Sequence, residues 1–483
     1  MIKLLDKILN NFKSCFSRQA SFNWFVVIII GLMIRTDTLG LTSIIRDLAL
    51  NPKGYESMIH FFHSSAWSFD SISNKWFQVV KQFAPLYYEG DSVILIGDGV
   101  KQAKEARKMP GVKKLHQESE NCSKAEYIFG HMFGGIGVLS GNPEKFFCIP
   151  LLITLQDGIK SIFSWKEACQ DDLPSRQETH VTQMIINAFK TSEILGKSIL
   201  LLDRYFLSIP ALSKLKELNE SSDTKMHIVT KAKKNCIAYE HPVKKHGRGR
   251  PSKKGNTVKL NELFEACHGE FKTTELELYG KKESVSYYAV NLLWGQKLYQ
   301  ELRFVLVCYQ GKECILVSTD LEQDPEAIIR LYSYRFKIEC TFREMKQVLG
   351  GFSYQFWSKS MPKLKRYAKK DEPHPLESIT DSLERKRILK TIQAIEGYVM
   401  CSCIALGLLQ ILSMRFSTQV NWSNIRYLRT PSRKIVSEAT MACHLRKSIF
   451  HGLGKNKDLS ITRIIKSKVT SLHTMLYSLT FFV

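Results

Sequence analysis

The sequence predicts an α/β fold in which a sheet-containing core is interrupted by a β-rich insertion and flanked by helical N- and C-terminal regions. Helical apolar periodicity marks both ends of the chain, short apolar runs bounded by turn residues mark its middle, and strict alternation marks a later segment. At 483 residues the chain exceeds the usual size of one hydrophobic core, so we expect several units. We assign a helical region to 1–90, the core to 91–240 and 319–375, the insertion to 241–318, and a second helical region to 376–483.

The sequence of the N-terminal region predicts helices that either bind DNA or only pack against the rest of the protein. Residues 41–65 have the pattern of a helix, a turn at 51–54 and a second helix. The most apolar run, FVVIIIGLMI at 25–34, is shorter than the roughly 20 residues that span a bilayer. We therefore expect a buried core helix there.

Two predicted core strands each end in an aspartate. The run DSVILIGDG ends at Asp98, and KSILLLDRYF ends at Asp203. Between them the sequence predicts two strands joined by the turn SGNPE, then a helix over 177–195. Ligands bind at the carboxyl ends of strands in open α/β sheets. One such aspartate is usually a cap or turn residue, but the pair points to a site.

The remaining elements complete the fold class. Residues 226–233 predict the last core strand before a stretch rich in Lys, Gly, Arg and Pro, and the strands of the insertion follow. A helix then begins with Asp324 or its neighbour as cap and Pro325 in the first turn. Residues 388–412 are apolar enough for a well-buried helix.

Charge and cysteine content restrict the class of protein. The 69 Lys and Arg outnumber the 46 Asp and Glu, leaving a formal charge of +23. This favours a polyanionic partner, nucleic acid ahead of an anionic membrane surface, although basicity can also serve solubility alone. Twelve cysteines without a CxxC pair suit reduced thiols in a cytosol and predict neither disulfides nor zinc.

A charged ladder follows in LYSYRFKIECTFREMKQVLGGF, residues 331–352. Arg335, Glu339, Arg343 and Lys346 recur at steps of four, four and three, which predicts one side of one helix. A surface helix with salt bridges would show the same ladder. Phosphodiester chemistry, however, uses convergent carboxylates as hard ligands for two Mg²⁺ ions about 4 Å apart. Glu339 would join the two aspartates, while the cations grip phosphates.

The same residues resemble a known family. Tyr332, Arg335, Glu339 and Lys346 match every spacing of the YREK signature of bacterial insertion-sequence DDE transposases. The motifs IGDGV and LLLDRYFLS and the insertion add to the resemblance, which covers most of residues 20–430.

The resemblance implies a ribonuclease-H-like mixed-sheet catalytic core and DNA transposition. Asp98, Asp203 and Glu339 would be both the catalytic residues and the ligands of two Mg²⁺ ions, with Mn²⁺ able to substitute. The partners would be double-stranded DNA, as transposon ends and target, and a second copy in a homodimer on paired ends. We expect a cytoplasmic bacterial protein, associated with the nucleoid when bound to DNA, and no membrane partner.

Further DNA contacts are expected outside the signature. Residues 101–117 carry six Lys or Arg against one Glu, so Lys101 and Lys104 are candidates in a loop near DNA, or in a solvated loop. Arg248 and Arg250 in GRGRP resemble the core of an AT-hook. The motif is only five residues long, so the alternative is a flexible cationic loop that makes nonspecific contacts with the DNA backbone. Tyr332, Arg335, Arg343 and Lys346 would hold the DNA backbone.

Two rival functions are compatible with the sequence. One is a transposase-derived DNA-binding protein that no longer cuts, against which the three intact carboxylates argue. The other is a metal nuclease of the same fold that cuts DNA and never joins ends.

Overall fold

A computed structural model describes most of the chain, and its helices and strands follow the predicted order. The described residues are 1–117, 126–156, 162, 165, 179–243, 252–366, 372–420, 434–456 and 458–469. Arg248 and Arg250 lie outside them.

Five helices precede the first strand. They are α1 Ile2–Asn10, α2 Gln19–Ile34, α3 Thr42–Asp47, α4 Gly54–His63 and α5 Phe69–Phe83. The apolar run at 25–34 lies inside α2 and is buried, as predicted. These helices pack into the same hydrophobic cluster as the central sheet. The indole of Trp76 in α5, for example, donates to the carbonyl of Pro150, 2.9 Å away.

The central sheet combines parallel and antiparallel strands. The first seven are β1 Tyr88–Glu89, β2 Ser92–Ala103, β3 Lys113–His116, β4 Tyr127–Asn142, β5 Lys145–Leu155, β6 Ser198–Leu201 and β7 Met226–Lys231. The core order is β5-β4-β2-β6-β7, with β2 parallel to β6 and β6 parallel to β7. Strand β4 is antiparallel to both β2 and β5. This mixed arrangement is consistent with a ribonuclease-H-like fold.

Strand β2 corrects one prediction. We expected it to end at Asp98, but it continues to Ala103. Its parallel partner β6 pairs only as far as Ile96, whereas the antiparallel partner β4 pairs with the whole stretch from Leu95 to Ala103. The strand therefore outlasts the apolar run because one neighbour continues to bond its backbone.

The insertion continues the same sheet. Its strands are β8 Ile237–Tyr239, β9 Thr257–Lys259, β10 Lys272–Leu278, β11 Lys281–Trp294, β12 Gln300–Tyr309 and β13 Lys312–Ser318. Strand β13 pairs antiparallel with β7, so core and insertion share hydrogen bonds. Alternate residues of β12 face different hydrophobic clusters: Val305 and Val307 the main one, Phe304 and Leu306 a smaller one.

Eight further α-helices complete the described part of the chain. They are α6 His180–Leu195, α7 Ile209–Glu220, α8 Leu263–Ala266, α9 Pro325–Ser333, α10 Lys337–Gln347, α11 Ser382–Phe416, α12 Glu438–Lys455 and α13 Ser460–Lys466. Asp324 caps α9 by accepting from the amide of Ala327, as predicted. The helix at Ser382–Gln419 is long and apolar enough to cross a membrane, but 94% of its apolar window is buried inside the protein. It is a core helix.

The predicted single helix through the charged ladder is wrong. Helix α9 ends at Ser333 and α10 begins at Lys337, so Arg335 lies in the turn between them. The amides of Tyr334, Arg335 and Lys337 donate to carbonyls three residues earlier. These tighter bonds form a turn that separates α9 from α10. The prediction failed because the spacing of charged side chains does not by itself determine the path of the backbone.

Candidate active site

Helix α10 is held against the sheet by its apolar face. Ile338, Phe342 and Met345 are buried, and the hydroxyl of Thr341 donates to the carbonyl of Cys148 in β5 at 2.6 Å. The Phe342 ring lies where a side chain at Gly135 would project, so a glycine is required there for this close approach. Gly135 is the cross-strand partner of Asp98, which brings α10 over that residue.

The two aspartates occupy equivalent positions on adjacent parallel strands. Ile96 of β2 pairs with Leu201 of β6, and each aspartate lies two residues further on. Asp203 lies two residues beyond the last residue of β6, and its carbonyl accepts from the hydroxyl of Thr230 on β7 at 2.9 Å. Sequence predicted both positions from the apolar runs, but only the register shows that they are level with each other.

Arg335 joins the carboxylates. One guanidinium nitrogen lies 3.1 Å from Oδ2 of Asp98, and the other binds Oε1 of Glu339. Asp203 also interacts electrostatically with this guanidinium. The structure thus brings Asp98 and Glu339 together on one cation, with Asp203 near enough to act on it electrostatically, and Glu339 is the more exposed of the two that bind it.

Burial governs the protonation of this cluster. It raises the pKa of Asp98, while the Arg335 guanidinium and the Gly99 amide oppose that rise. Burial works against the charge of Arg335, but Asp98, Tyr332 and Glu339 together leave its pKa raised. The guanidinium therefore stays protonated and compensates the carboxylates.

The other signature residues lie at different depths. Burial raises the pKa of Tyr332, whose hydroxyl stays protonated beside Arg335 and Asp203. The ammonium of Lys346 in α10 lies 3.4 Å from the backbone carbonyl of Lys101, so two residues predicted to contact DNA are neighbours. Arg343 is exposed and pairs with its neighbour Glu344 at 3.0 Å.

The prediction of a basic loop at 101–117 needs correction. Lys101 lies in β2, and its ammonium donates to the carbonyl of His116 at the end of β3. Lys104 is only 7% exposed, and its ammonium donates to the carbonyls of Phe352 and Tyr354 at 2.5 and 2.9 Å. A DNA contact at Lys104 is therefore wrong for this structure, because the charge points inward.

One neighbour of the site was missed. Tyr279 occupies the two-residue turn between β10 and β11 with φ +54°, and its side chain is 61% exposed. Its ring centroid lies 5.7 Å from that of Phe336, and it interacts electrostatically with Tyr332 and Arg335. The dipeptide Tyr-Gly between alternating strands indicates such a turn, but nothing local indicates that it lies close to Tyr332 and Arg335.

The chemistry of the donors suits a hard divalent cation. Carboxylate oxygens are the ligands that Mg²⁺ prefers, and Asp98 and Glu339 already hold a positive group between them. Within the described part of the chain, no three His, Cys, Asp or Glu side chains are grouped closely enough to hold a metal as they stand. Arg335 lies between the carboxylates, so a metal there requires its guanidinium to move.

Comparisons with known proteins bear on part of this site. Residues 172–356 match the family model described as "Transposase DDE domain", a range that includes Asp203 and Glu339 and begins after Asp98. No curated protein matches the chain. Among solved structures, the NurA nuclease from Sulfolobus solfataricus shows 12% identity over 61% of this chain and 92% of that one. Its TM-score of 0.21 is too low to carry a structural argument.

Proposed function

We propose that the chain is a DDE transposase that binds the ends of a DNA element and catalyses metal-dependent cleavage and strand transfer. The two ion pairs that Arg335 makes with Asp98 and Glu339, next to the parallel strand that precedes Asp203, carry this proposal. The match of residues 172–356 to a transposase DDE domain supports it independently. The finer placement in the YREK group of bacterial insertion-sequence enzymes rests on Tyr332, Arg335, Glu339 and Lys346.

The three carboxylates would hold the metal. Two Mg²⁺ ions, or Mn²⁺ in their place, would neutralise charge on the cleaved phosphodiester and make the attacking oxygen a better nucleophile. Asp98 enters the site from β2, where β4 pairs with it, and Glu339 from a helix fixed by Phe342. This rigidity keeps the carboxylates in place when a charged substrate binds.

In this proposal Arg335 donates to carboxylates in the free protein and to phosphate oxygens when DNA is bound. In the structure it neutralises Asp98 and Glu339, and its planar guanidinium is equally suited to two oxygens of a phosphate. Tyr332 lies beside Arg335 and supports its position. Lys346 and Lys101, next to each other at the edge of the site, would bind the adjoining phosphates.

The reaction would begin with water as the nucleophile at the end of the element. The freed 3′ hydroxyl would then attack a target phosphodiester, forming a new bond to DNA and releasing the target's 3′ oxygen. Binding to terminal inverted repeats, a homodimer on paired ends and a bacterial cytoplasmic location belong to the same proposal.

The deciding experiment compares wild type, Glu339→Gln and Glu344→Gln on DNA carrying the element's own ends, with Mg²⁺ or with EDTA. We expect Mg²⁺-dependent cutting and joining by wild type and by Glu344→Gln, the control five residues further along the same helix. Glu339→Gln should lose roughly a hundredfold or more of the cutting rate while still binding DNA.

Two outcomes would contradict the proposal. Binding without any cutting by the wild type would favour the inactive DNA-binding protein. Cutting without any joined product would favour a nuclease of the same fold.

A further inference from the structure

Two extended segments form a second basic surface beside the site. The amide of Ser358 donates to the carbonyl of Lys108 at 3.1 Å, and the amide of Leu364 donates to that of Arg107 at 2.9 Å. Beneath them, the buried ammonium of Lys104 bonds two further carbonyls of the later segment. Backbone bonds therefore hold this surface in one shape.

The later segment turns its polar residues and one tryptophan outward. Tyr354, Phe356 and Ser358 are buried, while Gln355, Trp357 and Lys359 are exposed. Trp357 is 56% exposed, which is unusual for so large an apolar side chain. The alternation places Trp357 and Lys359 on the same face.

We call this face the basic shelf and define it by its exposed side chains. They are Arg107, Lys108, Trp357, Lys359, Lys363, Lys365 and Arg366. Among carboxylates of the described residues, Glu372 alone lies within ion-pair distance of these cations, at 2.6 Å from Lys365. Asp381 and Glu384 border the groove beside Lys108 and Lys359, so the positive surface ends in that direction.

Further cations lie between the basic shelf and β2, the strand that carries Asp98. Lys101 lies three residues beyond Asp98 on β2, roughly 10 Å along the strand, and bonds the end of β3. A cavity of about 130 Å³ follows and is lined by four cations. They are Lys113 and Lys114 from β3, and Lys365 and Arg366 from the shelf. Cations thus extend from β2 to the shelf, while the Lys101 side chain, three residues from Asp98, lies on the opposite face of the strand from that carboxylate.

We propose that the basic shelf binds the backbone of duplex DNA on one side of the cleaved bond. Closely spaced cations match the repeating phosphates, and the exposed Trp357 ring would pack against a sugar or base at the edge of the duplex. The inference rests on the proposed function, because it takes DNA as the substrate. It adds a contact surface remote from the carboxylates and outside the matched range 172–356.

A matched pair of triple variants tests the shelf. The first is Lys108→Gln, Lys359→Gln, Lys363→Gln. The control, Lys190→Gln, Lys216→Gln, Lys312→Gln, removes the same charge from exposed lysines of α6, α7 and the start of β13. Binding is measured by fluorescence anisotropy in EDTA, with labelled random-sequence duplexes of about 40 and about 10 base pairs.

The salt dependence supplies the main readout. Each lost phosphate contact lowers the slope of log K against log salt by about 0.9, so we expect the shelf variant to lose about 2 to 3 from the wild-type slope. It should also lose the tighter binding of the long duplex over the short one. The control should keep both. Trp357→Ala should weaken long-duplex binding about fivefold, and Trp357→Phe should restore most of it.

The results separate the two proposals. A wild type that binds and cuts DNA, with shelf and control variants of equal slope and affinity, would overturn the shelf alone. A wild type that neither binds nor cuts DNA would overturn the proposed function and the shelf with it.

Discussion

Lys104 is a buried amine inside a basic protein. Burial lowers its pKa from 10.5 to about 7, and Tyr354 lies beneath its ammonium, 3.7 Å from nitrogen to ring centroid. The two carbonyls that accept from it partly compensate for the lost hydration. In sequence Lys104 is one of six cations in a short stretch, so nothing local distinguishes it from its exposed neighbours.

The shifted pKa predicts a pH dependence of stability. Between about pH 7 and 10.5 the unfolded chain binds a proton at Lys104 that the folded protein does not. The free energy of unfolding should therefore rise with pH across this window, by a few kcal/mol at most. Urea unfolding at several pH values checks this, with Lys104→Met as the comparison. An equal slope in both proteins would remove Lys104 as the cause.

The backbone at Gly350 restricts which residue types can occupy that position. Its φ is +57°, and an added Cβ would meet the carbonyl of Thr38. Gly350→Ala should lower the free energy of unfolding by about 3 kcal/mol, because strain and overlap add. Gly40→Ala is the control, since its φ of +48° is similar but no atom lies within 4 Å of the added Cβ. Denaturant titration should show a loss of only about 1 kcal/mol there.

At the scale of elements, the N-terminal helices fix the end of α10 through Arg35. This buried guanidinium donates to the carbonyl of Leu349 just beyond α10, to that of Gly40, and to the hydroxyl of Tyr398 in α11. A cation at a helix C-terminus is favourable because the last carbonyls carry partial negative charge. Arg35 thus links three elements around the helix that carries Glu339.

Replacement of Arg35 should destabilise this junction. Arg35→Met leaves buried carbonyls without a donor, so we expect the free energy of unfolding to fall by about 3 kcal/mol. The exposed Arg18→Met should change it by less than about 0.5 kcal/mol. Chemical denaturation monitored by circular dichroism measures both. Equal stability of the two variants would mean that water replaces the guanidinium at no cost.

Elements were predictable where their signals are local. The apolar runs of β2, β4 and β5 and the Asp-Pro start of α9 lie within a few residues each. The break between α9 and α10 is different. Tyr334 in that turn contacts Phe146, with ring centroids 4.9 Å apart, and Tyr87, at 6.0 Å. Partners so distant in sequence leave no mark on the local periodicity.

For the whole molecule, the main hydrophobic cluster extends from Leu5 to Ile465. Helix α11 runs through it, and Trp76 fills the space where a side chain at Gly407 would project. Sequence length suggested separable units, but length does not show which units share a core. The three carboxylates could be proposed from sequence motifs alone, whereas the position of Arg335 between Asp98 and Glu339 depends on contacts across the fold.

A shared core predicts that the N-terminal helices cannot be removed. A chain lacking residues 1–84 would expose the faces of β5 and α11 that these helices cover. We expect it to be insoluble or to lose the cooperative thermal transition of the full chain. Calorimetry of both chains provides the measurement. A soluble fragment with a sharp transition would show that the sheet is stable without the helices.

The pairing of β13 with β7 has a mechanical consequence. Three residue pairs join these strands, and β12 contributes to a hydrophobic cluster on each face of the sheet. The insertion cannot swing as a free arm, because turning it would break these bonds and uncover both clusters. A force applied to the insertion would be transmitted through these hydrogen bonds to β7, whose Thr230 is bonded to the backbone of Asp203. The insertion is therefore rigidly coupled to β7, the strand next to the one that Asp203 follows.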